Sequence, residues 1–211
     1  MQTITEIAMQ KARRGIFSRL EASCWVNNEG ARLDALLKRG VSTGEILHIR
    51  RGLFCLANKY IHRPIHAFEL AQRILGPSYL SLESALAHHG WIPEAVYTIT
   101  SVSQARARNF ETPMGVFSYT RIPQNLFLEG VRREEMEGGS FFVAEPLKAL
   151  ADYVYAHSCD WHGISPVLDS LRVEETEMAT LTTESFERLE GVYRSVRVRR
   201  FLKALRKDMK L

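Results

Sequence analysis

Six side chains in the first sixty residues have the type and spacing to contact a polyanion: Asn28, Arg32, Lys38, Arg39, Arg50 and Arg51. Asn28, Arg32, Lys38 and Arg39 recur at helical spacing beside Ala31, Ala35 and Ser42. Cationic and amide groups thereby share a face with side chains small enough to let a helix approach a DNA major groove and reach phosphates and base edges. Arg50 and Arg51 immediately precede Gly52, where a tight turn would carry them along a duplex backbone. Double-stranded DNA is therefore the partner these six residues suggest. The competing reading is a small helical unit that docks on protein.

Other groupings point to chemistry less well. His157, Cys159, Asp160 and His162 lie close together, but a structural zinc site needs a second ligand pair that the chain lacks. Gly139-Ser140 resembles the Gly-Ser of nucleotidyltransferases, yet no Asp-x-Asp follows to hold two metal ions. Ser81, Glu83 and His88 make no convincing nucleophilic triad. His88-His89 is more simply read as support for the carbonyls at a helix end, with His89 partly packed. The chain has neither a P-loop nor a G-x-S-x-G elbow. No enzyme, cofactor or metal is expected.

The elements that must position the six residues are legible. Residues 4–13 form a short helix, with Thr3 or Thr5 as cap and Ile4, Ile7, Ala8 and Met9 among its apolar positions. Ile16-Phe17 is extended. Ser18-Arg19-Leu20-Glu21 is a capping box that starts a second helix, which runs to about Trp25 or Val26. Asn28 is expected to cap a third helix. Its inward face is Leu33, Leu36, Leu37, Gly40 and Val41, and Gly44 takes the left-handed position after it. Gly40 inside a helix costs about 1 kcal/mol relative to Ala and marks close contact with a neighbour. Two strands follow: Ile46, Leu47 and Ile49 before the Arg51-Gly52 turn, then Leu53, Phe54 and Leu56. Three helices and a basic hairpin predict a winged helix-turn-helix over residues 1–60.

The periodic pattern lapses at residues 59–64, which sets a boundary before a second domain over residues 61–211. There the pattern predicts a helix from Pro64 to Leu75, an extended Tyr79-Leu80 and a helix capped by Ser81 and closed by Gly90. Strands are expected at 96–100 and 115–122, with 126–137 pairing with 140–143 across Gly138-Gly139. Pro146 opens a helix with Leu147, Leu150, Ala151 and Val154 inward. In the tail, Phe186, Leu189, Tyr193 and Val196 make one stripe, and Val198, Phe201, Leu202 and Leu205 make another that Ser195 caps. The fold class is α+β, with a mainly antiparallel sheet and C-terminal helices.

The chain has 211 residues, 45% hydrophobic and 25% charged, enough for a real core. That composition excludes disorder, a collagen-like repeat and a disulfide scaffold. A membrane partner is not expected, since no run is long and apolar enough to span one. Residues 1–15 lack the apolar stretch of a signal peptide. Three widely separated cysteines suit a reducing, cytoplasmic setting. The net charge of +4 is unevenly laid out. Residues 1–60 carry ten Lys/Arg against five Asp/Glu, residues 61–187 nine against seventeen, and residues 188–211 nine against two. The acidic body argues against DNA wrapping by the whole protein. The basic tail is read as solvated or packed on that body, with an extended DNA footprint as the alternative.

Several stretches, in order, resemble one family. Residues 46–54 (ILHIRRGLF) are similar to the end of the winged head of AbiEi-type antitoxins, which belong to abortive-infection toxin–antitoxin systems and also act as transcriptional regulators. The likeness continues through 79–90 (YLSLESALAHHG), 110–115 with 117–119, and 144–152 (AEPLKALAD), covering residues 15–156 and more loosely the tail. Their succession carries the resemblance, since no single motif is diagnostic. The sequence departs from the family in Phe54, where Tyr is common, and in Gly40 within the third helix. The resemblance implies a repressor that binds inverted repeats in its own promoter, with a homodimer on the DNA. It also implies a C-terminal domain that counteracts a nucleotidyltransferase-like toxin, in that family generally without a stable complex. The alternative is a stand-alone transcriptional regulator whose C-terminal domain binds a ligand or dimerises.

Overall fold

The structure is a computed structural model, and it describes residues 3–136 and 139–211. The chain begins with α1 (Ile4–Lys11), where Thr3 and Glu6 complete a capping box, and a short 3₁₀ turn at Arg13–Gly15. Next come β1 (Ile16–Ser18) and α2 (Arg19–Val26). Ser18 and Glu21 form the expected capping box, and Asn27 ends α2 in the left-handed conformation at φ 48°. α3 (Ala31–Ser42) is followed by β2 (Ile46–Arg50) and β3 (Leu53–Leu56). The three strands form an antiparallel sheet in the order β1-β3-β2.

Two details of α3 differ from expectation. Gly30, not Asn28, is its N-cap; Asn28 instead accepts the Gly30 N–H on Oδ1 at 3.0 Å. The side chain thus stabilises the loop before the helix, as Asn does when it bonds two residues on. The buried face is also narrower than predicted: Leu33, Leu37 and Gly40 are buried, Leu36 is half-buried and Val41 is exposed. Gly40 makes the close contact foreseen, since a Cβ there would stand 2.7 Å from Ile46 Cδ1 and 3.4 Å from Ile4 Cγ2. Around it Ile4, Ala8, Phe17, Ala22, Leu33, Leu37, Ile46, Phe54 and Leu56 close a small core.

After a 3₁₀ turn at Asn58–Tyr60 come α4 (Ala67–Ile74), β4 (Ser78–Leu80) and α5 (Leu82–His88). Four strands then run in sequence with a fifth: β5 (Thr98–Ser103), β6 (Arg108–Thr112), β7 (Gly115–Arg121), β8 (Val131–Met136) and β9 (Gly139–Ala144). The helices α6 (Pro146–Ala156), α7 (Ser165–Leu171), α8 (Glu175–Met178), α9 (Thr183–Arg188) and α10 (Val196–Asp208) complete the chain. The architecture is α+β.

The larger sheet is mixed, in the order β6-β7-β5-β4-β9-β8. Each hairpin, β6–β7 and β8–β9, is antiparallel within itself, as is the central β4–β5 pair. Both hairpins, however, dock their second strand on that pair, which makes β5–β7 and β4–β9 parallel. Local turn signals cannot reveal which strand of a hairpin docks.

Element ends also shift. α4 starts at Ala67 rather than Pro64, capped by His66 Nδ1 accepting the Phe68 N–H at 3.3 Å. The strand expected at 96–100 occupies 98–103, and β8 begins at Val131 rather than 126, leaving Leu126 and Leu128 exposed in the preceding turn. Of the expected Gly138-Gly139 turn, Glu137 and Gly138 lie outside the described residues. Val196 is exposed rather than part of an inward stripe, while Ser195 caps α10 as anticipated.

The largest apolar cluster joins Tyr79, Leu86, Val102, Phe141 and Val143 to α6, α9 and α10. A second links Leu70, Ala71 and Ile74 of α4 and Phe117 and Tyr119 of β7 to Ile16, Ile49, Leu53 and Cys55 of the small sheet. An apolar interior therefore crosses from residues 1–60 into the rest of the chain. Ion pairs Arg14–Glu69 at 2.8 Å and Arg73–Glu21 at 3.4 Å flank it.

Candidate nucleic-acid interface

α3 is amphipathic in the way its sequence requires. With Leu33 and Leu37 buried, Ala31, Arg32, Ala35, Lys38, Arg39 and Ser42 are all exposed. Asp34 interrupts this face, but Arg19 neutralises it at 2.9 Å and also donates to the Glu29 carbonyl at 2.7 Å. Lys38 and Arg39 have no ion pair among the described residues. Positive charge on the exposed side of α3 is thus left facing solvent.

The hairpin beside it turns at Arg51-Gly52, with Gly52 at φ +77°, a conformation that favours glycine. Arg51 is exposed at the tip. Arg50 is placed differently from the expectation that both arginines hold the backbone of a duplex. It is half-buried, its Nη1 donates to the Arg51 carbonyl at 3.1 Å, and its Nε is buried without a partner among the described residues. Burial raises the Tyr119 hydroxyl pKa, and the positive charge of Arg50 opposes that shift, so Arg50 lies against the body. A register shift between His48 and Arg50, together with strand alternation, turns the two neighbours apart.

Between α3 and the hairpin runs a groove of about 400 Å³, lined by Arg19, Leu37, Lys38, Val41, His48 and Phe54 among others. His48 is exposed and its ring lies 5.2 Å from that of Phe54. Arg19 and His48 are groove residues that spacing arguments missed. Arg19 sits in a capping box, which explains it locally, and His48 sits in a strand. Asn28 is half-buried before α3, with its Oδ1 engaged, rather than on the outward face.

The body hides a second constellation. Lys148 and Asp152 stand one turn apart on α6, both fully buried, with Nζ 3.9 Å from Oδ1. Asp152 Oδ2 accepts from Tyr79 at 2.9 Å and Ser81 at 2.7 Å, and Oδ1 accepts from Tyr193 at 2.7 Å and Gln124 at 3.3 Å. Lys148 donates to Gln124 Oε1 and lies over the Tyr193 ring at 4.6 Å. Burial lowers the Lys148 pKa, with Asp152 and Glu129 opposing; burial and the Asp152 charge push Tyr79 and Tyr193 well above their ordinary value. The available signal was a Lys and an Asp at i,i+4 inside an otherwise apolar helix face. Five segments meet there, so the arrangement fixes the tail, the 122–130 loop, β4, the start of α5 and α6 relative to one another.

The groupings weighed from sequence separate in space. Ser81 bonds Asp152, Glu83 pairs with His157 at 2.7 Å, and His88 pairs with Glu134 at 2.6 Å. His162 Nδ1 bonds the Asp160 carbonyl at 3.2 Å, away from His157. His88 and His89 do not serve the α5 carbonyls; they reach across to β8 and β9. No family model matches this chain, and no curated protein does either.

Proposed function

We propose that this chain is a double-stranded DNA-binding regulator in which residues 1–60 work as a winged helix-turn-helix. α3 would enter the major groove with Arg32, Lys38 and Arg39, and the Arg51 tip would lie on the flanking backbone. One observation carries the reading: the exposed face of α3 combines small and cationic side chains and stands beside a hairpin with an exposed Arg at its glycine turn. Small residues permit close approach, and the cations supply phosphate and base contacts. The order helix, strand, helix, helix, hairpin, with the first strand on the hairpin's outer edge, supports it further.

The wider role, an AbiEi-type antitoxin that represses its own operon and counteracts a nucleotidyltransferase-like toxin, is proposed on the resemblance of residues 15–156. A stand-alone regulator is favoured by one feature, the shared apolar cluster, through which ligand binding or dimerisation by the body would reach the hairpin. The test is fluorescence anisotropy of the full chain on the duplex upstream of its own gene and on a scrambled duplex, at several salt concentrations. Preference for the native duplex, lost in the Lys38→Ala, Arg39→Ala double variant, is the expected result. Equal and salt-insensitive binding to both duplexes would overturn DNA recognition. Rescue of cells from a neighbouring toxin gene would then separate the antitoxin from the stand-alone regulator.

A further inference from the structure

We propose that His88, His89 and Glu134 form a binding site for a divalent transition metal of the zinc class, separate from the DNA face. The ligand atoms of these three residues lie within 4.8 Å of one another, bringing the end of α5 against β8. His88 Nε2 is 2.6 Å from Glu134 Oε2. His89 approaches the Ala144 carbonyl through Nε2 at 2.8 Å. A carbonyl only accepts, so Nε2 carries the proton and the lone pair is on Nδ1. Metal-binding histidines are held in this way, by donating their other ring N–H to a carbonyl or carboxylate. The His88 ring is itself fixed by edge contacts with Phe68 and Phe141, both at 5.6 Å.

A cationic group already stands near these donors. Arg132 Nη2 is 2.5 Å from Glu134 Oε1 and 3.4 Å from His89 Nδ1. Arg132 is thus the cation that holds Glu134 Oε1, and it helps to lower the Glu134 pKa. The Arg132 side chain is 51% exposed, whereas those of His88 and Glu134 are 19% and 21% exposed. The donors are thus held by the fold, and the cation is the part free to leave. Two imidazole nitrogens and one carboxylate oxygen suit Zn²⁺ in tetrahedral geometry with water as fourth ligand. Hard cations such as Mg²⁺ prefer an all-oxygen set.

The test uses the full chain, stripped with chelator and titrated with Zn²⁺ by calorimetry and with Co²⁺ by visible absorption. The expected result is one Zn²⁺ per chain and the intense absorption of tetrahedral Co²⁺. Affinity should fall at least about tenfold in His89→Ala and in Glu134→Gln. Arg132→Ala supplies the opposite readout: removing the competing cation should tighten Zn²⁺ binding severalfold, which no loss of structure would do. Absence of stoichiometric Zn²⁺ in both the wild-type chain and Arg132→Ala would overturn the site. Unchanged affinity in His89→Ala and Glu134→Gln would do so equally, by placing the metal elsewhere.

Discussion

Lys38 and Arg39 on α3 stand in solvent, while Lys148 and Asp152 on α6 are fully buried: α3 buries one face and exposes the other, whereas α6 has no exposed residue. On α3 the charges have given up no hydration, so they are available to phosphates and contribute little to stability. On α6 the charges have lost their water and are committed to each other, to three hydroxyls and to an amide. A charged residue on a helix thus serves binding or architecture according to the desolvation it undergoes.

The sharpest way to break this contrast is Asp152→Ala. It removes the acceptor of four donors and leaves Lys148 buried without its carboxylate. Breaking a buried pair from one side costs about 3–5 kcal/mol, and urea unfolding should show a loss of that size. Lys148→Met should cost less, because among the described residues Lys148 has one hydrogen-bonded side-chain partner, Gln124. The matching changes on α3, Lys38→Ala and Arg39→Ala, should each stay within about 0.5 kcal/mol of wild type. Comparable losses at the two places would end the distinction.

Gly40→Val sharpens the comparison from the other side, since it perturbs α3 through its packing rather than its charge. The added atoms meet Ile46 Cδ1 at 2.7 Å and Ile46 Cγ1 at 3.2 Å. Overpacking of this kind typically costs about 1–3 kcal/mol, against which better helix propensity returns only a few tenths. Thermal unfolding should register the loss. DNA affinity should fall with it, because Ile46 begins the strand that leads to the Arg51 turn.

These cases also show what spacing alone conveys. Leu33, Leu37 and Gly40 were legible because a helix repeats every 3.6 residues and one face must be buried. The capping box at Ser18 and Glu21 was legible because its chemistry is confined to four residues. The Asp152 network was not, since Tyr79, Ser81, Gln124 and Tyr193 come from segments that nothing local relates to α6. β6 escaped notice because it is an edge strand: Arg108, Asn109 and Glu111 are exposed, leaving no alternating apolar signal. The differing roles of Arg50 and Arg51 depend on a register shift beside the turn, which the residue types do not announce.

The junction between the two regions has its own signature at high pH. Burial pushes the Cys55 thiol up to about 12 and raises the Tyr119 hydroxyl, and both belong to the shared apolar cluster. A pKa raised on folding means that the unfolded chain ionises first. The stability contribution is therefore complete below the unfolded thiol value of about 8.5 and is lost as pH rises toward 12. Cys55 should cost up to about 1.4 kcal/mol per pH unit in that window, and Tyr119 should add to the decline only above the unfolded tyrosine value of about 10. Denaturant midpoints measured from pH 8 to 11 should fall, and Cys55→Ala should flatten the lower part of the decline. In the same samples an alkylating reagent should modify exposed Cys24 quickly and spare buried Cys55. Equal labelling of the two thiols would place the junction in solvent.

The smallest expected effect tests the comparison between adjacent residues. Arg51 is exposed at the hairpin tip, whereas Arg50 is half-buried with its charge toward Tyr119. If Arg51 neutralises one phosphate, Arg51→Ala should lower the magnitude of the slope of log affinity against log salt by about 0.9 and weaken all sequences alike. Folding stability should be unchanged within about 0.5 kcal/mol, as for an exposed side chain that has no ion pair among the described residues. Arg50→Ala should leave the slope close to wild type, because that guanidinium is occupied by the Arg51 carbonyl and the body. A slope that responds to Arg50 and not to Arg51 would mean that the hairpin turns its other side to DNA, and α3 would then have to dock in a different orientation.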